Sequence, residues 1–143
     1  MITAKLKLIL TAAGCTTVLY ESDKLANILV DTASREEVIG LILQPNSILK
    51  NIKANSIQSH YKPTIEIIQQ VKLEDTAENN EAKLQALELI CEDVILELIA
   101  SGNYKHITGE WELIKILETR YDANVIGWSM PLDLYYLLNE NKC

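Results

Sequence analysis

Apolar and polar positions along this chain alternate with two different periods, and the change from one period to the other marks off its elements. Over Ile2 to Ala13 the apolar residues Ile2, Leu6, Ile9, Leu10 and Ala13 recur every three or four positions, which gathers them on one side of a helix, and Gly14 is placed to end it. Thr16 to Tyr20 is short, β-branched and aromatic, so it predicts an extended segment. Ser22 offers a capping oxygen to a short second helix over Asp23 to Val30, where Leu25, Ile28 and Leu29 share a side. Glu37 to Leu43 predicts a strand that stops at a turn built from Gln44, Pro45, Asn46 and Ser47. Ile48 to Ile57 fits neither period and predicts a ragged strand, Ser59 to Pro63 a turn, and Thr64 to Leu73 a strand whose alternation only Gln69 breaks.

The polar stretch Glu74 to Asn80 predicts a loop leading into the longest helical pattern, from Glu81 to Ser101. There Leu84, Leu87, Cys91, Val94, Ile95 and Leu98 form one stripe, and Glu81, Gln85, Glu88 and Glu92 lie across from it. Leu89, Ile90, Leu96 and Ile99 widen the apolar side beyond what one contact requires, a surplus that fits either core or a subunit contact. Near the end, Ile126, Trp128, Met130, Leu132, Leu134, Tyr136 and Leu138 are apolar at every second residue, which predicts a strand with one buried and one open face. Trp111 to Arg120 should pair with it through a turn at Tyr121 to Asn124, and Pro131, lacking an amide donor, belongs at an edge or a bulge. Strands come in runs instead of alternating singly with helices. The fold class is therefore α+β over residues 1–143 as a single domain: a mixed or antiparallel sheet with one long helix packed on a face, an N-terminal helix and a C-terminal β-hairpin.

Composition narrows the possible partners. The chain has 143 residues, 48% of them hydrophobic, which supports a genuine core and excludes intrinsic disorder. Thirteen Lys and Arg against 20 Asp and Glu leave a net charge of −7, so the overall field repels phosphate backbones and specific nucleic-acid binding is not expected. Lys50, Lys53 and Lys62 read as plain surface lysines. The cysteines at 15, 91 and 143 form no CxxC pair, which suits a reducing compartment, and Cys91 reads as a small core residue. Lys5, Lys7 and the run from Leu8 to Cys15 superficially resemble a lipoprotein signal, but the apolar run is short and the helix is the preferred reading.

The glycines at 14, 40, 102, 109 and 127 are too scattered to assemble a phosphate-cradling loop. His60 and His106 each fall in an expected turn, apart from any metal-site spacing. Glu92 and Asp93 read as solvated acids on a helix, and Glu74, Asp75 and Glu78 lack the pattern of a calcium loop. These readings predict no enzyme, no cofactor, no metal, no small-molecule substrate and no membrane association. Trp111, Tyr20, Tyr135 and Pro131 are the candidate subunit-interface residues, the aromatics because they supply large contact area at low entropic cost and the proline because it marks a sheet edge. Trp128 reads as core.

The order of elements, with the closing segment Asp122, Ala123, Asn124, Val125, Ile126, Gly127, Trp128 and the phrase Val18, Leu19, Tyr20, Glu21, Ser22, Asp23 with Asn27, resembles the tail terminator and minor tail proteins of long-tailed bacteriophages and prophages. The likeness spans nearly all of the chain and lies in layout more than in a chemical motif. It implies a structural virion protein, made in the host cytoplasm, that forms a homo-oligomeric ring, a hexamer, in the tail or neck. The ring would meet the tail tube protein and neck or connector proteins, and DNA would pass through it without being bound. The competing expectation is a small module of a bacterial mobile element that grips a protein or peptide in a groove between sheet and helix, without catalysis. An unfamiliar enzyme would need His60, His106, Glu92 and Asp93 to converge in space.

Overall fold

The computed structural model describes residues 2–19, 37–53, 56–71, 76–101, 105–106, 110–120 and 123–137. In chain order these form α1 (Ile2–Ala13), β1 (Thr17–Leu19), β2 (Ile39–Lys53), β3 (Ser56–Gln70), α2 (Ala77–Ser101), β4 (Lys105–His106), β5 (Ile114–Arg120), β6 (Ala123–Pro131) and β7 (Leu134–Leu137). The fold is α+β, a mixed sheet with the long helix α2 packed on it beside the N-terminal helix. The sheet has seven strands in the order β1-β2-β3-β6-β5, with β7 pairing β3 beyond the end of β6 and β4 pairing β7. Only β1 and β2 run parallel; every other pair is antiparallel. The short helix expected over Asp23 to Val30 lies outside the described residues.

The end of α1 and the start of α2 each have an identifiable cause. After α1 the chain turns at Gly14, whose φ of +121° suits a residue without a side chain. The Gly14 amide donates to the Thr11 carbonyl and the Cys15 amide to the Leu10 carbonyl, the paired bonds that satisfy the last turn of a helix. Helix α2 starts four residues earlier than its hydrophobic stripe suggests. Thr76 caps it, its Oγ1 accepting from the Asn79 amide at 3.1 Å, a contact worth about 1 kcal/mol, so Ala77 to Asn80 are helix where a polar loop was expected. Leu84, Leu87, Cys91, Val94 and Leu98 of α2, with Leu6 and Leu10 of α1, are buried against Ile42, Ile65, Ile67, Ile126, Met130, Leu132 and Leu134 of the sheet region. Trp128 packs at the margin of this core and its indole Nε1 donates to the Leu84 carbonyl at 2.9 Å, tying the first half of α2 to β6.

The middle of the chain corrects two expected turns. Instead of stopping at Pro45, β2 continues to Lys53, and the ladder with β3 skips in register between Leu43 and Asn46. Ser59 to Pro63 is not a turn either but the interior of β3, which places His60 in a strand. The ragged segment Ile48 to Ile57 contains the end of β2 and the start of β3. A proline cannot donate to a ladder, and here each is placed where the ladder makes no such demand. Pro45 lies in the β2 irregularity, Pro63 in β3 lies beside it, and Pro131 ends β6 on the other flank of β3, opposite Thr64. At that same level the Leu132 amide donates to the Pro63 carbonyl and β3 exchanges β6 for β7. The three prolines thus mark one line across the sheet along which register is reset.

The β5–β6 hairpin forms as expected, with Ile114 opposite Ser129 and Arg120 opposite Ala123. The alternating stripe survives the break at Leu132, since Ile126, Met130, Leu132 and Leu134 are all buried on the helix-covered side. The opposite side is less open than the pattern predicts: Ile39, Leu41, Ile68, Ile116 and Val125 form a second buried cluster there. Strand β6 is also not an edge. It lies between β3 and β5, and only because β5 starts opposite Ser129 does Pro131 extend past that neighbour.

Two outcomes follow from this packing. A Cβ on Gly127 would coincide with the Ile67 carbonyl oxygen and come within 2.8 Å of Ile68 Cα, so β6 approaches β3 as closely as it does only because that residue has no side chain. Gly127→Ala should lower unfolding free energy by about 3 kcal/mol, read from urea midpoints, whereas Gly14→Ala, with nothing nearer than Ile90 at 3.7 Å, should cost about 1 kcal/mol through its backbone conformation alone. The second outcome concerns the buried thiols. Burial pushes Cys15 and Cys91 up from 9.0 to about 12, with Cys15 adding to the effect on Cys91. Below pH 9 folded and unfolded chains hold these protons alike. Above it the unfolded chain releases them first, so stability should fall between pH 9 and 12 by about 1.4 kcal/mol per pH unit and thiol. Denaturation at pH 8 and pH 10.5 should show a smaller alkaline loss for Cys15→Ala than for the parent, by about 2 kcal/mol.

Candidate functional site

Of the interface residues singled out from sequence, Trp111 is half-buried and packs against the main core just before β5. Pro131 is half-buried at the end of β6. Tyr135 occupies a position in β7 with a strand on either side, opposite His60 of β3 and Lys105 of β4. Tyr20 lies outside the described residues.

Of the polar groups suggested for an unfamiliar enzyme, His60 stands apart from Glu92 and Asp93. His60 is 3% exposed, on the sheet side away from the helices, while Glu92 and Asp93 stand on the exposed side of α2. His106 belongs to the register row of Leu134 and Tyr61, the neighbouring row to that of His60. What His60 does meet is Asp133, at 3.4 Å from Nδ1 to Oδ1, and the other oxygen of Asp133 lies 3.8 Å from Lys62 Nζ. One carboxylate therefore links an imidazole and an ammonium of β3 to the β6–β7 junction. An imidazole beside a carboxylate is half of a general-base arrangement; here the imidazole is buried, the Asp133 side chain is 26% exposed, and the contact ties the β6–β7 junction to β3. Sequence spacing gave no hint of it, because 73 positions separate residues that only the β3–β7 register brings together. Among the described residues no group of three or more His, Cys, Asp or Glu is placed to hold a metal ion, and no helix is long and apolar enough to cross a membrane.

Where the alternative reading places a groove, between helix and sheet, the described residues Leu84, Leu87, Cys91, Val94 and Leu98 are buried together with residues of the sheet. The processing suggested by the lipoprotein-like run would, at Cys15, remove Leu6 and Leu10, both wholly buried.

Unsatisfied apolar surface lies on the outside of the molecule. On α2, Leu89, Leu96 and Ile99 are 61%, 62% and 58% exposed, so the surplus noted in the sequence resolves into a second, outward stripe, while Ile90 and Ile95 pack at the core margin. On α1, Leu8 is 71% exposed, and on β5, the last strand of the sheet order, Ile114 and Leu117 are exposed. Leu8, Ile114 and Leu117 carried no sequence signal, since an apolar residue inside an apolar run looks the same whether it faces core or water. Charge divides between the helices. α2 bears Glu78, Glu81, Glu88, Glu92, Asp93 and Glu97 against Lys83, whereas α1 bears Lys5 and Lys7 and no acid. This outer helical layer and the β5 edge form the candidate functional surface.

No family model, no curated protein and no solved structure matches this chain.

Proposed function

We propose that this chain is a structural virion protein of a long-tailed phage or prophage, acting in the tail or neck, where copies assemble into a ring, a hexamer, that terminates the tail tube or joins it to the neck. The observation that carries the reading is exposed apolar surface at several places on one small chain: Leu8 of α1, Leu89, Leu96 and Ile99 of α2, and Ile114 and Leu117 of β5. A subunit of a head-to-tail ring uses at least two unlike patches, because each copy must give one surface and receive on another. The α+β layout, with its N-terminal helix, long helix and closing hairpin, supports the same reading through its likeness to tail terminators. The net charge of −7 suits a lumen that DNA passes without adhering. Tail tube protein and neck or connector proteins are the other partners in this reading.

Size-exclusion chromatography with light scattering tests it directly. The purified chain, alone or on addition of tail tube protein, should elute at six times its 16.1 kDa mass, and negative-stain images should show annuli. A strict monomer under both conditions overturns the reading.

A further inference from the structure

Resting on that ring reading, we propose that the contact between sister copies is helical, with the outward side of α1 in one copy lying along the outward side of α2 in the next. On α2 the exposed residues Ala82, Ala86, Leu89, Asp93, Leu96 and Ala100 follow one another at intervals alternating between four and three, the spacing of a seam that receives the side chains of a second helix. Its counterpart Leu84, Leu87, Cys91, Val94, Leu98 is already used by the core, so α2 carries two seams and only one is covered within the chain. α1 presents a shorter seam of the same kind, Ala4, Leu8 and Thr11, all exposed. Twelve residues of α1 extend about 18 Å and lie within the roughly 37 Å offered by the 25 residues of α2.

Charge selects which seams meet. Two α2 seams face to face would bring together Glu92, Asp93 and Glu97 of both copies, and two α1 seams would oppose lysine to lysine. Only α1 on α2 joins opposite signs. The acids of α2 are spread along its length against the single Lys83, and its last turn supplies no basic residue to the negative end of the dipole. A lysine from outside offsets that excess. In the arrangement proposed, Leu8 enters between Leu89 and Leu96, and Lys7, exposed beside it, reaches Asp93 of the next copy. Because the donating and receiving helices differ, each copy has one helix to give and another to receive on, which a head-to-tail contact requires.

A charge swap tests this contact. All variants are compared with the parent by light scattering over a dilution series, with circular dichroism confirming that each is folded. Lys7→Glu and Asp93→Lys, each altering one exposed side chain, should separately weaken self-association by about tenfold, and the double variant Lys7→Glu/Asp93→Lys should restore it to within about threefold of the parent. In a Cys143→Ser background, mild oxidation of Leu8→Cys/Leu96→Cys should yield a ladder of covalent dimers, trimers and higher species. If the parent assembles while both single variants assemble equally well and no ladder forms, the helical contact is overturned and the ring reading stands. A ladder ending at dimer rejects head-to-tail propagation. If the parent itself remains monomeric even with tail tube protein, the ring reading fails and this contact fails with it.

Discussion

The architecture depends on β3 being paired along both of its sides. A buried strand cannot leave its amides and carbonyls without partners, so a strand running Ser56–Gln70 needs equally long company. On one side β2 supplies it almost alone, through a 15-residue strand with two irregularities. On the other side the task is divided between β6 and β7, with Leu132 donating to Pro63 at the handover. The remaining elements are arranged around this axis. α2 lies over the β3–β6 half and is anchored by the Trp128–Leu84 bond, while the link of Asp133 to His60 and Lys62 closes the junction from the other side. Gly127 belongs to the same requirement, because the closest approach of β6 to β3 occurs where a side chain would strike the Ile67 carbonyl.

Local signals were readable wherever one period persisted. α1 could be placed from its apolar spacing and Gly14, the buried stripe of α2 from Leu84 to Leu98, and the β5–β6 hairpin from alternation and a turn. The failures share a cause. Pro45, Pro63 and Pro131 were read as punctuation or as an edge, which is what a residue lacking an amide hydrogen does in isolation. In the fold they coincide at one level of the sheet, so each missing donor falls where the ladder is interrupted. That coincidence is a property of register, and register between residues 45, 63 and 131 is not written in any local window. The same limit hid the meeting of His60 with Asp133.

The candidate surface was half legible. An excess of apolar residues on α2 was plain, but its division into an inward and an outward seam depends on where the sheet lies, and Leu8 is indistinguishable from Leu6 and Leu10 until α1 is docked. The separation of charge between α1 and α2 was visible in composition all along. It gains meaning only when both helices are found on one face of the sheet, forming a single outer layer that is basic on its short member and acidic on its long one.

Strand β5 ends the sheet order with Ile114 and Leu117 exposed and Lys115 between them, also exposed. A strand that ends a sheet order presents backbone to foreign strands, and a lysine near its start disfavours indiscriminate stacking. At this rim, a backbone that approaches to extend the sheet meets a positive charge first.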